Sequence, residues 1–422
     1  MLAEICGKLR KAQAVLAAHT AAQRNAALGW VAREIQQRSP GILAANRRDL
    51  EAAQKAGTSE ALLDRLALSP QRLEGVANSL DTVIRLPDPL GQLVAGWKTP
   101  QGLRIRQVRV PIGVAAIIYE SRPAVAADSF ALAYKSGNAL LLRGSSSALE
   151  SNKAFMEAIH AGLCAAGQDA VPGAAAMLQT GDRAEVDAIL AARGLIDVVI
   201  PRGGAALIKR VVETSRVPVI ETGTGVCHLY VDESGDMGMA VNIAENGKLQ
   251  RPGVCNALEC LVVHRAVLPR FLPAVAARFA GRCEMRCDAE SFAVLSGAAH
   301  PGASLRVVPA AESDFGFEFL DTILAIKTVG SIGEAIGYIN THNTQHSETI
   351  VTGNLENARR FQEEIDAACV YVNASTRFTD GGEFGFGVEL GISTQKLHVR
   401  GPMGLCALTT GKYLIDGEGH IR

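Results

Sequence analysis

One cysteine in the middle of the chain has surroundings that suit a nucleophile. Cys255 follows a Pro252-Gly253 turn at a predicted loop-to-strand junction, and Lys248 and Arg251 precede it by a few residues. Cations near a thiol favour the thiolate, which is the reactive form. Most cysteines are nevertheless inert, buried hydrophobic residues. From the local sequence alone, a purely structural role for Cys255 is therefore the alternative interpretation.

A carboxylate lies upstream at a position that suits the same chemistry. An apolar run ends in Glu221, and Gly223 and Gly225 follow it. Glu221 precedes Cys255 by 34 residues, which leaves room for a helix, predicted at about 236–249, between them. The sequence therefore predicts a carboxylate at a strand end and a thiol on a later loop.

The overall composition is that of a globular protein without a strong electrostatic field. The chain has 422 residues, too many for a single core, so two or three domains are expected. Hydrophobic residues make up 48% and charged residues 20%, and the net charge is −1. This balance, with no basic patch interleaved with aromatic residues, argues against nucleic acid or an anionic membrane as a partner.

The nine cysteines and the N-terminal sequence both favour a cytoplasmic location. The count is odd and the spacing irregular, as expected of reduced thiols rather than of a disulfide framework. Cys283 and Cys287 are four apart, but no second pair or histidine cluster completes a zinc site, so no metal is predicted. Charges interrupt the N-terminus every few residues, and no apolar run approaches the ~20 residues that span a bilayer.

Hydrophobic periodicity divides the first half of the chain into a helical start, a ribbon strand and an alternating region. Residues 1–85 have apolar positions at helical spacing, and 103–110 alternates apolar and polar residues as a half-exposed strand does. From 111 to 225 strand-like runs alternate with helix-like runs, which predicts a parallel sheet covered on both faces. The predicted strands are 112–119, 139–142, 175–179, 196–200 and 217–220, and the predicted helices are 124–135, 148–166, 183–192 and 205–214.

Two strand-to-helix turns of this region suit phosphate binding. Parallel sheets bind ligands at the carboxyl ends of their strands, and backbone N–H groups at a helix start bind phosphate. The turns are Arg143-Gly144-Ser145 and Pro201-Arg202-Gly203-Gly204. Each could be only a turn, and the G-x-G-x-x-G fingerprint is absent. Two such turns in one region predict a dinucleotide site, and Arg143 favours NADP over NAD because it suits a ribose 2′-phosphate.

The second half of the chain contains the thiol in another predicted α/β region, at 226–375. An apolar run at 257–263 follows Cys255 and is typical of a strand. Glycines and varied polar side chains are dense from 371 to 391, which predicts an ordered functional loop rather than low-complexity sequence.

Several motifs of low degeneracy extend across nearly the whole chain. They are Tyr119-Glu120-Ser121-Arg122-Pro123, Lys135-Ser136-Gly137-Asn138-Ala139, Pro201-Arg202-Gly203-Gly204, Glu221-Thr222-Gly223-Thr224-Gly225-Val226-Cys227-His228, Gln250-Arg251-Pro252-Gly253-Val254-Cys255-Asn256-Ala257, Val372 to Asp380 and Gly391-Ile392-Ser393-Thr394-Gln395-Lys396-Leu397-His398. Through them the chain resembles the γ-glutamyl phosphate reductase (glutamate-5-semialdehyde dehydrogenase) family of the aldehyde dehydrogenase superfamily, in its stand-alone form. The resemblance implies an α/β, aldehyde dehydrogenase-like fold with a parallel-sheet cofactor domain, an α/β catalytic domain and a small β oligomerisation ribbon.

The resemblance also implies domain boundaries, a reaction and partners. The NADP-binding domain would comprise 1–102 and 111–225, the catalytic domain 226–375, and the oligomerisation segment 103–110 with 376–422. The implied reaction is the NADPH-dependent reduction of L-glutamate 5-phosphate to L-glutamate 5-semialdehyde and phosphate, the second step of proline biosynthesis from glutamate. A homo-oligomer is expected, and handover of the substrate from glutamate 5-kinase is a further expectation.

For this reaction the resemblance implies covalent catalysis by Cys255. The thiolate would displace phosphate from the acyl phosphate and form a thioester, which NADPH would reduce to the aldehyde. The Cys255 and Asn256 backbone N–H groups, with a side chain of the 119–123 turn, would stabilise the oxyanion. Ser121 stands where hydrolytic aldehyde dehydrogenases place an asparagine, so this assignment stays open. Glu221 matches the water-activating residue of those enzymes and would here either orient the nicotinamide or be structural.

Cations and polar groups near the thiol are candidates for substrate binding. Arg122, Lys248 and Arg251 could meet the leaving phosphate, or each could be a surface charge. The further candidates are Ser375, Thr376 and Arg377 for the α-carboxylate and Asp380 or Glu383 for the ammonium group.

Glu318 and three histidines have two interpretations each. Glu318 matches a glutamate that bonds a cofactor ribose in the superfamily, and an exposed strand glutamate is the alternative. His228, His342 and His346 could act as acids or bases. Because phosphate is a good leaving group and needs little protonation, local hydrogen bonding is expected of these histidines.

Two other functions compete with this one. A hydrolytic NAD(P)-dependent aldehyde dehydrogenase would make acid from aldehyde without phosphate, but Ser121 and the arginines near the thiol argue against it. A non-catalytic nucleotide-binding protein on the same fold would have a spoiled site, whereas Cys255 and the loops around it are present here.

Overall fold

A computed structural model describes residues 1–178, 182–297 and 305–422 of the chain. The chain divides into two compact units. Unit 1 comprises Met1–Thr222, Gly385–Gly391 and Met403–Arg422, and unit 2 comprises Gly223–Phe384 and Ile392–Pro402. Each unit contains its own parallel sheet.

Both units are built from strands and helices in succession. Unit 1 contains α1 (Leu2–Ala18), α2 (Ala21–Gln37), α3 (Ser39–Lys55), α4 (Glu60–Leu66), α5 (Pro70–Arg85), β1 (Leu93–Lys98), β2 (Arg104–Pro111), β3 (Val114–Tyr119), α6 (Val125–Lys135), β4 (Ala139–Gly144), α7 (Leu149–Ala165), β5 (Ala175–Met177), α8 (Arg183–Ala191), β6 (Val198–Arg202) and α9 (Ala205–Thr214). Unit 2 contains β7 (Cys227–Val231), α10 (Met237–Leu249), β8 (Leu258–His264), α11 (Leu268–Phe279), β9 (Glu284–Cys287), α12 (Ala289–Gly297), β10 (Arg306–Pro309), β11 (Ile323–Val329), α13 (Ile332–His342), β12 (Ser347–Val351), α14 (Leu355–Glu364), β13 (Cys369–Val372), β14 (Ile392–Ser393) and β15 (Gly401–Pro402). The chain ends in unit 1 with β16 (Thr409–Asp416).

The predicted helical start is confirmed, and burial explains its periodicity. In α2, Leu28, Val31 and Ile35 are buried along one stripe. Thr20 begins this helix with a capping box, in which its side chain accepts the N–H of Gln23 and the Gln23 side chain accepts the Thr20 N–H. Within the described ranges, no helix is both long and apolar enough to cross a membrane.

The parallel sheet of unit 1 has the strand order β5-β4-β3-β6. All residues of β3 and β4 are buried, as their continuous apolar sequence predicts. The chain moves from β3 to β4 on one side and later adds β6 on the other side of β3. The boundary between β3 and β6 is therefore a topological switch point, where sheets of this kind bind ligands.

Two predicted strands of this sheet differ from the structure. The strand predicted at 175–179 is the shorter β5, and residue 179 lies outside the described residues. The strand predicted at 217–220 is wrong, because in the described part of the sheet a single bridge from Val219 to Val199 joins it to β6. Pro218 lacks a backbone N–H and prevents a continuous ladder.

Strand β2 is the centre of an antiparallel ribbon, as its alternating sequence predicted. It pairs with β1 on one side and with β16 on the other. Trp97, Ile105 and Ile415 stand opposite one another on one face, and Arg104 lies opposite Asp416 on the other face. β1 was not expected, because its residues do not alternate between apolar and polar.

The parallel sheet of unit 2 has the order β10-β9-β11-β8-β7-β12-β13 among the described residues. The central strands β7 and β8 are almost entirely buried. Their apolar side chains pack with residues of α10 and α11 in one core and with residues of α13 and α14 in another. Residues 250–257, which include Cys255 and form the thiol loop, lead directly into β8. The thiol loop is therefore anchored at the centre of this sheet. Together, the two parallel sheets and the ribbon confirm the predicted α/β class.

Gly162 tests the packing of the helical start. It lies in α7 where that helix crosses α2, and an ideal Cβ at Gly162 would lie 2.5 Å from the Val31 Cα. We expect Gly162→Ala to force the two backbones apart and to lower the free energy of unfolding by about 1–3 kcal/mol. Gly41→Ala in α3 is the control, because a Cβ there meets nothing within 4 Å and should stabilise the helix. Urea unfolding measures both, and equal effects would contradict the close crossing.

Candidate active site

The thiol loop joins α10 to β8, as the sequence predicted. Asp236 caps α10 by accepting the N–H of Met239 at 2.7 Å. The Ala257 N–H donates to the Val254 carbonyl at 3.0 Å, which closes a turn around Cys255. Cys255 is partly exposed in this turn, so the residue is not sealed in the core of unit 2.

A glycine fixes the backbone of Cys255. An ideal Cβ at Gly225 would lie 1.5 Å from the Cys255 carbonyl oxygen and 2.4 Å from its carbonyl carbon. Any side chain at position 225 would therefore displace the thiol loop. The Gly225 N–H also donates to Oε1 of Glu318 at 2.7 Å, which holds the glycine segment from another direction.

A second thiol supports the same carbonyl. The Cys227 thiol donates to the Cys255 carbonyl oxygen at 3.4 Å, and its sulfur lies 3.8 Å from Nδ1 of His346. Burial raises the pKa of the Cys227 thiol well above its ordinary value, and the negative charge of Glu348 adds to this effect. Cys227 therefore stays protonated and acts as a hydrogen-bond donor, whereas Cys255 is the more accessible of the two thiols.

Behind Cys227, short side-chain hydrogen bonds continue through the interior of unit 2. His346 Nδ1 lies 2.8 Å from Ser347 Oγ, which lies 2.7 Å from Thr379 Oγ1. The Tyr371 hydroxyl lies 2.7 Å from the same Thr379 oxygen. Burial lowers the pKa of His346 to about 4, so its imidazole is neutral near pH 7.

The other two histidines also make local hydrogen bonds, as expected. His228 Nδ1 lies 3.0 Å from Oε2 of Glu348, and both side chains are fully buried. Burial raises the pKa of Glu348, while His228 acts in the opposite direction. His342 Nδ1 lies 2.9 Å from the Tyr338 carbonyl oxygen. All three predicted histidines are thus engaged within the fold of unit 2.

Asn256 joins the thiol loop to the glycine-rich loop near the end of unit 2. Its Nδ2 donates to the Thr379 carbonyl at 2.9 Å, and its own carbonyl accepts the Thr376 hydroxyl at 2.8 Å. The Ser375 hydroxyl accepts the Arg377 N–H at 3.3 Å. The hydroxyls that were predicted to bind a carboxylate are therefore engaged in shaping this loop.

Two arginines place positive charge near Cys255. Arg377 Nε donates to Oε1 of Gln250 at 3.0 Å. Partial burial and then the like charge of Arg251 lower the pKa of Arg377, and the nearby side chains of Asp380 and Cys255 oppose this shift. Arg377 therefore lies within electrostatic reach of both Arg251 and Cys255.

Lys248 is not one of these cations. Its Nζ donates to Oε2 of Glu259 at 2.6 Å, and both side chains are fully buried. The Leu320 N–H donates to the other carboxylate oxygen at 3.1 Å. Burial raises the pKa of Glu259 to about 7, although Lys248 acts in the opposite direction. The interpretation of Lys248 as a ligand of the leaving phosphate is therefore corrected, because Glu259 takes up its charge in the core.

In unit 1 the predicted residues gather at the carboxyl ends of β3 and β6. The Glu120 carboxylate accepts the Gly204 N–H at 3.0 Å, and the Glu120 N–H donates to the Arg202 carbonyl at 3.0 Å. An ideal Cβ at Gly203 would lie 2.4 Å from Oε2 of Glu120. Ser121 follows with a φ of 51°, in the left-handed region that turns the chain after β3. The turn predicted to bind phosphate thus already holds a carboxylate of the protein.

Arg143, at the end of β4, is largely buried. It is 8% exposed, and its Nη2 donates to the Asp182 carbonyl at 3.1 Å. Burial lowers the pKa of its guanidinium, and the nearby carboxylates of Glu185 and Glu120 oppose that shift. This placement gives no support to Arg143 as a ligand of a ribose 2′-phosphate. Ser145, two residues later, is more open, and its Oγ lies 2.8 Å from that of Ser147.

The remaining predicted residues lie at strand ends and in loops. Gly144 ends β4 and Pro201 is buried in β6. Arg122 is exposed in the turn after β3, and Glu221 is partly exposed near the end of the long first segment of unit 1. Glu318 is partly exposed in a loop before β11, so it is not a strand glutamate.

Sequence reasoning missed three residues that support the thiol loop. Gly225 and Cys227 belong to a motif that had been considered mainly for its carboxylate. Glu259 had a usable signal, because it is a single charge in an otherwise apolar strand and such a charge requires a buried partner.

The cysteines of the chain form no disulfide bonds. All nine cysteines are described, and each is a reduced thiol. Cys283 and Cys287 are buried beside and within β9. Over the ranges with described coordinates, no group of three or more His, Cys, Asp or Glu side chains is arranged to hold a metal ion.

Comparison with known proteins decides the family. The aldehyde dehydrogenase family model matches residues 3–289. The γ-glutamyl phosphate reductase of Treponema pallidum is 51% identical to the chain, with 100% of both chains covered. The chain belongs to the γ-glutamyl phosphate reductases of the aldehyde dehydrogenase family. Membership of this family confirms the resemblance carried by the motifs and makes the protein an enzyme.

Solved structures agree with this family. The γ-glutamyl phosphate reductase of Thermotoga maritima is 46% identical and matches with a TM-score of 0.94, over 100% of this chain and 99% of that one. An engineered glycolyl-CoA reductase with bound NADP+ is 14% identical and matches with a TM-score of 0.70, over 98% of this chain and 96% of that one. The first match supports the family, and the second shows the fold alone. The predicted aldehyde dehydrogenase-like fold is confirmed.

Gly225→Ala tests the contact behind the thiol. The new Cβ would collide with the Cys255 carbonyl, so we expect turnover to fall by about 100-fold or more, as for a reacting group displaced by ~1 Å. Gly337→Ala in α13 is the control within unit 2, because a Cβ there meets nothing within 4 Å. Steady-state turnover of both variants is measured after circular dichroism has shown that they fold. Activity of Gly225→Ala within twofold of the unchanged protein would contradict the contact.

Proposed function

We propose that the protein catalyses the NADPH-dependent reduction of L-glutamate 5-phosphate to L-glutamate 5-semialdehyde and phosphate, the second step of proline biosynthesis from glutamate. The observation that carries this proposal is the partly exposed Cys255, whose carbonyl is fixed by Gly225 and Cys227. Full-length likeness to γ-glutamyl phosphate reductases supports the same substrate. The reduced thiols suit a reducing compartment, so we place the reaction in the cytoplasm.

The first chemical step is acyl transfer to sulfur. The Cys255 thiolate attacks the acyl carbon, the carbon–oxygen bond to phosphate breaks, and phosphate leaves with the bonding electrons while a thioester forms. Arg251 and Arg377 support this step, because their positive charges favour both the thiolate and the approach of a phosphorylated substrate. Neutral His346 is not required as an acid, since phosphate is a good leaving group.

The oxyanion that forms from the acyl carbonyl oxygen needs hydrogen-bond donors. We assign the backbone N–H groups of Cys255 and Asn256 to this role. The assignment is supported by the rigidity of the loop, because the Asn256 side chain and carbonyl are both bonded to the glycine-rich loop. Donors that are fixed before the reaction stabilise charge without reorganisation.

NADPH, when bound, supplies the hydride that reduces the thioester carbon to the aldehyde level. We propose that NADPH binds at the β3–β6 switch point of unit 1, where sheets of this kind bind ligands, and that Arg202 and Ser145 hold its phosphate groups. The Gly204 N–H is excluded from this role because Glu120 already occupies it. Glu221 is assigned to orienting the nicotinamide, since the reaction has no water to activate. Loss of the carbon–sulfur bond then restores the Cys255 thiolate.

The substrate also carries an α-carboxylate and an ammonium group. We assign the carboxylate to Arg377, whose guanidinium is half-buried near the thiol and bonded to Gln250. Asp380 is exposed in the same loop and is assigned to the ammonium group. This arrangement would let the two ends of an amino acid be recognised by side chains three residues apart.

Phosphate dependence tests the reaction class. With L-glutamate 5-semialdehyde and NADP+, we expect NADPH to form beyond one equivalent per site only when phosphate or arsenate is present, because the thioester is released by phosphorolysis and not by water. Cys255→Ser should abolish turnover while NADPH binding persists. Cys164→Ser, which alters an exposed thiol of α7, is the matched control and should be fully active. Turnover without phosphate would favour the hydrolytic reaction, and activity of Cys255→Ser would exclude Cys255 as the nucleophile.

We further propose that the ribbon joins copies of this chain into a homo-oligomer. Its apolar face exposes Trp97, Tyr413 and Ile415, which are 48%, 54% and 58% exposed in the single chain. A contiguous apolar face of this kind is typical of a protein interface. The acyl phosphate substrate is unstable in water, and direct handover from glutamate 5-kinase would shorten its exposure.

A charge on each face of the ribbon tests the oligomer. Ile415→Lys places a charge on the apolar face, and we expect it to lower the molecular mass measured by sedimentation equilibrium to that of one chain. Lys412→Glu changes a charge on the opposite face, where Lys412 pairs with Val108, and should leave the assembly intact. A monomeric unchanged protein, or an intact Ile415→Lys assembly, would refute the proposed interface.

A further inference from the structure

Unit 2 buries an ion pair at the two ends of the thiol loop. Lys248 lies in the last turn of α10 and Glu259 is the second residue of β8. Their side chains are fully buried and lie 2.6 Å apart. Replacing such a pair by apolar residues is often neutral or stabilising. Stability alone therefore does not account for two charges at this position.

The pair supports an unfavourable backbone turn. Leu320 has a φ of 54°, in the left-handed region that is unfavourable for a leucine. Its N–H donates to Oε1 of Glu259 at 3.1 Å, while Oε2 of Glu259 accepts from Lys248. The two oxygens of one carboxylate thus connect α10 to the loop before β11.

The same loop carries Glu318, two residues before Leu320. Oε1 of Glu318 accepts the Gly225 N–H at 2.7 Å, and Gly225 packs directly on the Cys255 carbonyl. A continuous series of contacts therefore leads from the buried charge to the nucleophile. Its members are Lys248, Glu259, Leu320, Glu318, Gly225 and Cys255.

Lys248 also balances two carboxylates that lie close together. The negative charge of Glu318 raises the pKa of Glu259, and the positive charge of Lys248 lowers it. Without the lysine, two carboxylates would repel each other beside the thiol loop. The cation thus has an electrostatic function inside unit 2 that requires no contact with substrate.

We propose that Lys248 and Glu259 are positioning residues, which fix the turn at Leu320 so that Glu318 holds Gly225 against the thiol loop. This inference rests on the proposed function, in which Cys255 is the nucleophile. It replaces the role of Lys248 as a substrate ligand by a role that acts through the protein. The effect on catalysis would then pass through Glu318.

A double-mutant cycle in the full chain tests this path. We expect Glu259→Gln and Glu318→Ala each to lower kcat/KM by about 10-fold, as for one lost buried hydrogen bond. If Glu259 acts through Glu318, the kcat/KM of the double variant should lie within about twofold of that of the less active single variant. Glu290→Gln breaks an exposed pair with Arg265 and is the control, with kcat/KM unchanged. The proposal would be overturned if the two losses in kcat/KM multiplied in the double variant, or if Glu259→Gln were fully active.

A second variant covers a failure of Glu259→Gln to fold. Lys248→Met combined with Glu259→Leu removes both charges and should fold, yet should keep the 10-fold loss because the Leu320 N–H has no carboxylate to meet. Adding Leu320→Asn, which tolerates the left-handed region, should restore kcat/KM about threefold. Full activity of the apolar pair would reject positioning. If the apolar pair were fully active and Cys255→Ser inactive in the same assay, only the positioning inference would fail. An active Cys255→Ser would instead reject the proposed function itself.

Discussion

The thiol loop depends on one close contact, in which Gly225 packs on the backbone carbonyl of Cys255. No side chain fits between them, and the Cys227 thiol donates to the same carbonyl from the buried side. The backbone of the proposed nucleophile is thus fixed from two directions while the residue keeps partial exposure. A fixed backbone on a partly exposed cysteine suits covalent catalysis, because a displaced reacting atom is slow to react.

Burial decides which charges can act on the thiol. Lys248 is near Cys255 in sequence, but its charge is neutralised by Glu259 within the core. Arg251 is exposed and Arg377 is partly exposed. Arg377 interacts electrostatically with Arg251 and with Cys255. The three cations therefore divide into one that is paired in the core and two that, in the proposed mechanism, favour the thiolate and a phosphorylated substrate.

Much of the fold follows from sequence, whereas contacts between distant segments do not. Continuous apolar runs predicted the buried strands β3 and β4, and the loop position of Cys255 followed from its Pro-Gly turn. The strand expected at 217–220 failed because hydrophobicity outweighed Pro218, which cannot donate to a ladder. Gly225 resembled any turn glycine until the structure placed it against Cys255. Lys248 of α10 pairs with Glu259 of β8 across the thiol loop. The apolar strand indicated that Glu259 needs a buried partner, but the spacing of residues does not say which cation it is.

The most direct test of the account is the identity of the covalent intermediate. The protein is incubated with L-glutamate 5-semialdehyde and NADP+ without phosphate, quenched in acid, digested and examined by peptide mass spectrometry. A glutamyl group should be found on the peptide that contains Cys255, and it should disappear when phosphate is added before the quench. Formation of NADPH with no adduct on Cys255, or with an adduct on a different residue, would exclude Cys255 as the nucleophile.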